Sequence, residues 1–487
     1  TDTTSIANVY ANIPPSLTGF TVYSTLCAFI AAISGFNVGW HIGVVNMPMA
    51  IITSCTTTSS SAIPDCLPMA DYMWGLTVGF YALGGIIGGM GTMYTNVWFG
   101  RRANLLICAA FFAVGSILTA LAVNVAMYSV GRVIVGIGAG LAGASCAIYV
   151  SEISTNKTRG AHGSFFEFFL NLGILVTQVC GLYMSTVPTW RYLWVISAII
   201  SIIQFALLWF FTVECPRRLC ANKNYDGARV SLQKLRGPDC DIEEELNNLI
   251  EARKQDEQRP QLSIWAVLRG KDRKVLIATI HVCILLAYNQ IGGIGPMSVY
   301  SVSFYSSIFK GDTHMATTLS LVCSAANIVA TAIAVVLMNK VGRKGFMMIS
   351  TAGMTIASIG IVIGSSVATD KTGPLIIFSA ILFLFTYSCG CGVVPWMIAP
   401  ELLPLRGLAA GSALGNGTNW LVNFVENTLW PLIFNRLQNY SFILFIVINF
   451  VGFLYSWICF EETTGKDLDR FDDDTKKIEH LEDAKDF

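Results

Sequence analysis

Long apolar segments recur along almost the whole chain and constrain its fold more than any other feature of the sequence. A segment of about 20 apolar residues is long enough to cross the hydrocarbon core of a bilayer as a helix. Charged residues make up 13% of the 487 residues, about half of the fraction usual in soluble proteins. The sequence therefore predicts an all-α polytopic membrane protein.

Twelve such segments can be delimited, six on each side of a long polar interval. The predicted spans lie near residues 18–45, 70–95, 103–123, 125–151, 161–185, 191–212, 275–303, 314–338, 345–367, 374–399, 407–433 and 441–460. Apolar residues at helical spacing among charges predict short amphipathic helices in the polar interval. The predicted units are an N-terminal six-helix bundle (1–212), a cytoplasmic linker (213–274), a C-terminal six-helix bundle (275–460) and a cytoplasmic acidic tail (461–487).

Lysine and arginine are distributed unevenly along this map. Most of the 31 fall in the linker, the tail and alternate short loops. By the positive-inside rule, loops rich in lysine and arginine lie on the cytoplasmic side of a membrane. The exceptions are Arg132 within a span and, in the other loops, Arg191, Lys310, Lys371 and Arg436. We therefore expect both termini to be cytoplasmic. We expect the protein to lie in the plasma membrane or in an organelle membrane.

The two halves repeat each other in their charged loops. A glycine with two basic residues follows the second and the eighth span, and a glutamate with a later arginine closes the fourth and the tenth. A repeat of six spans is typical of transporters whose site lies between the halves near mid-membrane. Exposed ion pairs are worth about 0–1 kcal/mol each, which suits a gate that opens in every cycle. The candidate cytoplasmic gate comprises Arg101, Arg102, Glu152, Arg159, Arg343, Lys344, Glu401 and Arg406.

An ordered set of motifs resembles the sugar porter family of the major facilitator superfamily. The motifs are Phe99-Gly100-Arg101-Arg102, Gly131-Arg132, Tyr149-Val150-Ser151-Glu152-Ile153, Glu214-Cys215-Pro216-Arg217, Val341-Gly342-Arg343-Lys344, Pro395-Trp396, Asn419-Trp420 with Asn423, and Glu462-Thr463-Thr464-Gly465. The resemblance implies two six-helix bundles that work by alternating access, with the charged loops holding the outward-facing state. It also implies that Gln290, Asn419 and Trp396 contact a sugar.

Amide side chains inside the second half form the candidate substrate site. An amide offers donors and acceptors, so it can replace the water around a sugar or polyol, while an aromatic ring covers its C–H face. The candidates are Asn289, Gln290, Asn327, Asn419, Asn423 and Trp396. The competing interpretation is that these amides join neighbouring helices.

Three ionisable residues in the first half are candidates for coupling: His41, Arg132 and Glu167. An arginine at the centre of a span costs about 2.5–3.5 kcal/mol and needs a partner. We expect Glu167 beside Arg132, held in its ionised form. The resemblance implies an acid or amide at the position of His41 and a sugar-binding glutamine at the position of Glu167. Glu167 is therefore also a candidate substrate-binding residue. We expect facilitated diffusion whose rate depends on pH through His41.

Other functions have less support. The alternatives are a proton-coupled symporter of a sugar or another metabolite, including a charged one, and a non-transporting sensor. The glycine run 136–140 lies inside a span, where close helix packing is expected instead of nucleotide binding. No catalytic or metal-ligand spacing stands out, so we expect neither an enzyme nor a cofactor, and lipid but not nucleic acid as a partner. Cys55 and Cys66 share one loop and can form a disulfide.

Overall fold

The computed structural model describes residues 21–54, 63–155, 158–238, 240–258, 262–309, 311–367 and 373–462. All regular elements in these ranges are helices. The acidic tail beyond residue 462, Cys55, Lys310 and Lys371 lie outside the described residues.

The first half contains six long helices and three short ones. They are α1 (Val22–Gly43), α2 (Met49–Thr53), α3 (Asp71–Trp98), α4 (Arg101–Ala120), α5 (Val125–Ile153), α6 (Arg159–Gly163), α7 (Phe165–Met184), a 3₁₀ turn (Thr189–Arg191) and α8 (Tyr192–Phe211). Glycines bring α3 and α5 into close contact: a Cβ added at Gly84 would lie 2.9 Å from the Cα of Gly136. The glycine run therefore serves helix packing.

Four short helices form the linker. They are α9 (Pro216–Ala221), α10 (Tyr225–Arg236), α11 (Glu243–Gln258) and α12 (Ile264–Leu268). The side chain of Thr21, just before α1, donates to the carbonyl of Leu235 over 2.7 Å. Hence α1 begins at the end of the bundle where the linker lies, called here the linker side, and ends at the opposite end, the far side.

The second half is less regular. Its helices are α13 (Arg273–Ile291), α14 (Ile294–Val299), α15 (Ser301–Ile308), α16 (Thr313–Val341), α17 (Arg343–Val367), α18 (Gly373–Cys389), α19 (Val394–Leu402), α20 (Leu405–Leu437) and α21 (Phe442–Ile458). The seventh predicted span is broken between α13 and α14, where Gly293 has φ 107°, and the tenth is broken between α18 and α19. Broken helices occur at membrane depth where they are buried in protein or line a cavity.

Ten helical segments among the described residues are long and apolar enough to cross a membrane. The eleventh and twelfth predicted spans correspond to α20, which is long but rich in asparagine, and to α21, which has 17 residues. The predicted all-α fold with twelve spans is confirmed, and the protein is an integral, multi-pass membrane protein.

Contact between the halves is concentrated towards the far side. There Asn46 donates to the hydroxyl of Ser301 over 2.8 Å, and Ser324 donates to Gln178 over 2.8 Å. Along α3, a Cβ added at Gly75 would lie 2.8 Å from the carbonyl of Thr428 on α20. Hydrogen bonds join the two halves at this side and near mid-membrane. The structure is thus closed on the far side.

Candidate functional site

Four of the predicted amides form one hydrogen-bonded network between α13 and α20. The Nε2 of Gln290 donates to Asn289 over 2.7 Å, and the Nδ2 of Asn419 donates to the same Asn289 oxygen over 2.9 Å. The Nδ2 of Asn423 donates to the Oε1 of Gln290 over 2.8 Å. The structure therefore brings Asn289, Gln290, Asn419 and Asn423 together, and we call these four residues the amide network.

The two helix breaks hold this network in place. Asn289 donates through its Nδ2 to the carbonyl of Cys391, in the α18–α19 break, over 2.8 Å. The hydroxyl of Tyr387 donates back to the carbonyl of Asn289 over 3.1 Å. The end of α13 is thereby fixed to the other broken span. Backbone carbonyls at a helix break lack their intrahelical partners, so they can accept hydrogen bonds from side chains.

Two further predicted residues lie apart from the amide network. The Oδ1 of Asn327 on α16 accepts a short hydrogen bond from Ser388 and another from Thr331 over 3.5 Å. Trp396 lies on α19 and is 44% exposed.

Glu167 lies in the first half but is linked to the second. Its Oε1 accepts from Asn171 over 3.4 Å, and Asn171 also donates to Thr331 on α16 over 3.3 Å. Glu167 is half-buried. The carboxyl group thus stands beside a hydrogen bond that joins the two halves.

The expected pairing of Arg132 with Glu167 is wrong. The buried guanidinium of Arg132 donates to the carbonyl of His41 over 3.1 Å and lies 4.6 Å from the ring centroid of Tyr81 and 5.6 Å from that of Trp194. A backbone acceptor and aromatic faces can stabilise a buried cation without a carboxylate. Helical spacing along the chain could not reveal these partners, because they come from three other helices.

His41 is fully buried among first-half residues. Its Nε2 lies 2.8 Å from the hydroxyl of Ser197 and 3.3 Å from that of Ser116. Its ring stacks on Phe112 with centroids 5.6 Å apart. The geometry therefore places His41 in the packing of its own half rather than in the amide network.

Two predicted gate pairs are present, each within one half. Arg101 pairs with Glu152 over 2.9 Å, and Arg343 pairs with Glu401 over 2.8 Å. Glu214 accepts from the backbone amide of Arg101 over 3.0 Å. In the second half, Glu462 accepts from the backbone amide of Arg343 over the same distance. These carboxylates cap the starts of α4 and α17, where helix N-termini favour negative charge.

Three of the remaining candidate gate residues have other partners. Arg102 donates to the carbonyl of Trp209 over 2.6 Å, and Lys344 donates to that of Trp457 over 2.9 Å. Arg406 pairs with Asp272 over 2.5 Å. Arg159 is exposed and forms no ion pair with Glu152 in the described ranges. Arg102 and Lys344 thus donate to backbone carbonyls at helix ends. Sequence spacing could not predict whether such a residue would bind a carbonyl or a carboxylate.

Sequence reasoning did not place Glu426 and Asn427 in the site. Asn427 donates to the Oδ1 of Asn423 over 3.1 Å, so it extends the amide network towards the far side. The signal was present in the sequence, because Asn416, Asn419, Asn423 and Asn427 recur at a spacing of three to four residues and therefore share one face of α20.

One predicted cysteine pair falls partly outside the described residues. Cys66 is disulfide-bonded, and its expected partner Cys55 lies in the range that the structure does not describe. Cys215, Cys220 and Cys459 are free thiols, of which Cys459 is exposed.

Comparison with known proteins places this geometry in context. The chain is 28% identical over 463 residues to the mouse solute carrier family 2, facilitated glucose transporter member 4, covering 91% of this chain and 89% of that protein. It is 28% identical over 453 residues to the facilitated trehalose transporter Tret1 of Apis mellifera ligustica, covering 92% and 87%.

Among solved structures, the fold is similar to that of the proton:xylose symporter XylE bound to 6-bromo-6-deoxy-D-glucose. That match has a TM-score of 0.73 at 21% identity and covers 92% of this chain and 98% of the other. The XylE structure from E. coli in a partially occluded inward-open conformation matches with a TM-score of 0.71 at 20% identity, covering 90% and 100%. The fold is that of the major facilitator superfamily.

The family described as sugar (and other) transporter matches residues 27–474, which is nearly the whole chain. The matched range contains both broken spans, the amide network and the paired charges of both halves. The chain therefore belongs to the sugar (and other) transporter family.

Proposed function

We propose that this transporter carries a hexose-like sugar or a polyol across its membrane by alternating access, and that the amide network is its binding site. The observation that carries the proposal is the convergence of Asn289, Gln290, Asn419 and Asn423 beside two helix breaks. Relatives named as glucose and trehalose transporters support a neutral, hydroxyl-rich substrate.

The chemistry of the network suits such a substrate. Each amide has both a carbonyl acceptor and an NH₂ donor, as each sugar hydroxyl is both donor and acceptor. Hydroxyls can therefore replace amide–amide bonds one for one as the substrate enters. Trp396 and Asn327, which stand apart from the network, are proposed to contact the substrate when the halves rearrange around it.

The proposed sidedness gives the conformational cycle a direction. If the linker and both termini are cytoplasmic, closure on the far side corresponds to an inward-facing state. The bundles 1–212 and 275–460 would then rock about the amide network, with 213–274 as a cytoplasmic linker. The Arg101–Glu152 and Arg343–Glu401 pairs would steady the linker-side ends that meet in the outward-facing state.

Uptake by the purified protein in liposomes tests the proposal, with hexoses, pentoses and polyols as solutes. Removing one amide leaves a buried partner unpaired, which costs about 1–3 kcal/mol and weakens binding roughly 5- to 150-fold. We expect this loss for Asn419→Ala and Gln290→Ala, with normal amounts of folded protein.

Asn104→Ala is the matched control. Asn104 is buried in the first half, where it donates to Asn96 over 2.9 Å and to Ser145 over 2.6 Å. Its loss should reduce folded protein and leave affinity unchanged. Native affinity in both Asn419→Ala and Gln290→Ala would place the substrate site elsewhere.

A second candidate is proton-coupled transport, favoured by the position of Glu167 beside the inter-half bond between Asn171 and Thr331. Ionisable groups within spans commonly mark proton pathways. Uphill accumulation driven by an imposed proton gradient, lost in Glu167→Gln, would establish symport and exclude simple facilitated diffusion. The proposed pH dependence through His41 is tested by uptake between pH 5 and 8, because an unchanged profile in His41→Asn would remove His41 from the mechanism.

A further inference from the structure

Glu426 is an acidic residue inside the membrane that neither the amide network nor the gate uses. Both of its carboxylate oxygens are buried on α20, and among the described residues no side chain donates to them; the nearest donors are the backbone amides of Gly293 and Gly295. A buried carboxylate without a cationic partner is costly, and such groups in membrane proteins are commonly functional.

The carboxylate packs closely against Gly295, where the absence of a side chain lets α14 approach α20. A Cβ added at Gly295 would lie 2.8 Å from the Oε2 of Glu426 and 3.1 Å from the Oδ1 of Asn427. That Oδ1 is buried and also has no partner in the described ranges. Gly295 follows the α13–α14 break, so two acceptor oxygens of α20 converge on one point of the broken span.

This acceptor group continues directly from the amide network. Asn427 uses its Nδ2 to donate to Asn423 over 3.1 Å, and Asn423 donates in turn to Gln290 over 2.8 Å. With its NH₂ group engaged, Asn427 presents only its carbonyl oxygen towards Gly295. A carboxylate likewise only accepts when it is ionised.

We propose that Glu426 and the Oδ1 of Asn427 form an acceptor subsite for a substrate group that presents two or more hydrogen-bond donors. The group is a protonated amine, as in an amino sugar, or a pair of vicinal hydroxyls. The inference rests on the proposed function, because the substrate must occupy the adjacent amide network. Glu426 is then a specificity-determining residue that the neutral amides cannot replace.

The test is direct binding of glucose, 2-deoxyglucose and glucosamine to the purified protein in detergent, at a pH where the amine is protonated. Glu426→Gln keeps the size of the side chain and removes its charge. We expect it to weaken binding about 10- to 150-fold, as for the loss of a hydrogen bond to a charged group. Selective loss for glucosamine identifies the amine, whereas loss for glucose exceeding that for 2-deoxyglucose identifies the hydroxyl pair.

Gly295→Ala provides an independent variant that keeps the carboxylate. Its methyl group would crowd the Oε2 of Glu426, so the variant should weaken binding of the same solute. Adding Gly295→Ala to Glu426→Gln should weaken binding little further. Gly91→Ala is the matched control, because a Cβ there meets nothing within 4 Å.

Native binding of all three solutes by folded Glu426→Gln and Gly295→Ala would overturn the subsite. In that case weakened binding by Gln290→Ala would still support the amide network. Failure of the native protein to bind any of the three would overturn both proposals.

Discussion

Adjacent glycines on α3 allow conformational change to be separated from folding. Gly85 faces the second half, where an added Cβ would lie 2.8 Å from Cζ3 of Trp420 and closer still to two other ring atoms. Gly84 faces its own half, where an added Cβ would lie 2.8 Å from the backbone nitrogen of Ile137 and 2.9 Å from the Cα of Gly136. The two substitutions to alanine therefore act on different contacts.

The expected size of the effect follows from these distances. Carbon atoms pack best about 3.5–4.0 Å apart, so Gly85→Ala requires the Trp420 ring to move by roughly 1.2 Å or more, because its two nearest atoms, Cδ2 and Cε3, lie well inside that separation from the added Cβ. Overpacking of this kind costs about 1–3 kcal/mol. Because the cost falls on the state closed at the far side, that state should lose population roughly 5- to 150-fold relative to one open there.

The assay uses a cysteine at position 46, labelled from the far side with a membrane-impermeant maleimide. Asn46 is 3% exposed and bonded to Ser301, so labelling of Asn46→Cys reports separation of the halves. Gly85→Ala should accelerate labelling, whereas Gly84→Ala should reduce folded protein without accelerating it. Equal labelling rates with and without Gly85→Ala, in folded protein, would refute the reasoning.

Two further predictions concern the linker side. Glu152→Gln removes the carboxylate that pairs with Arg101, and it should slow transport severalfold with little loss of folded protein. Glu245→Gln breaks the pair with Arg236 within the linker and should leave the transport rate unchanged. Equal rates for both variants in counterflow assays would contradict a gating role for Glu152. Burial raises the pKa of the Cys220 thiol, so little reactive thiolate forms near neutral pH, while Cys459 is exposed. Impermeant maleimide should therefore label Cys459 from the linker side and spare Cys220, and labelling from the far side would reverse the proposed topology.

The spans and the clustering of the amides could be predicted because each leaves a signal in the sequence. Apolar length marks a span, and Asn419 and Asn423 stand one turn apart on the same helix. The partners of Arg132 could not be predicted, because a carbonyl or an aromatic face from another helix has no sequence signature of its own. Gly295 illustrates the same limit: its importance lies in the side chain it lacks opposite Glu426.

The amide network has a consequence for selectivity and turnover. Asn289, Gln290, Asn419 and Asn423 satisfy one another, so under the proposed function an arriving hydroxyl exchanges partners rather than meeting unpaired groups. Each exchange contributes only the small net difference between two hydrogen bonds of about 0.5–1.5 kcal/mol. Affinity is then modest and the solute leaves as readily as it enters, which is what a carrier requires. Such a site would select solutes by the positions of their hydroxyl groups, and weak binding would allow rapid release.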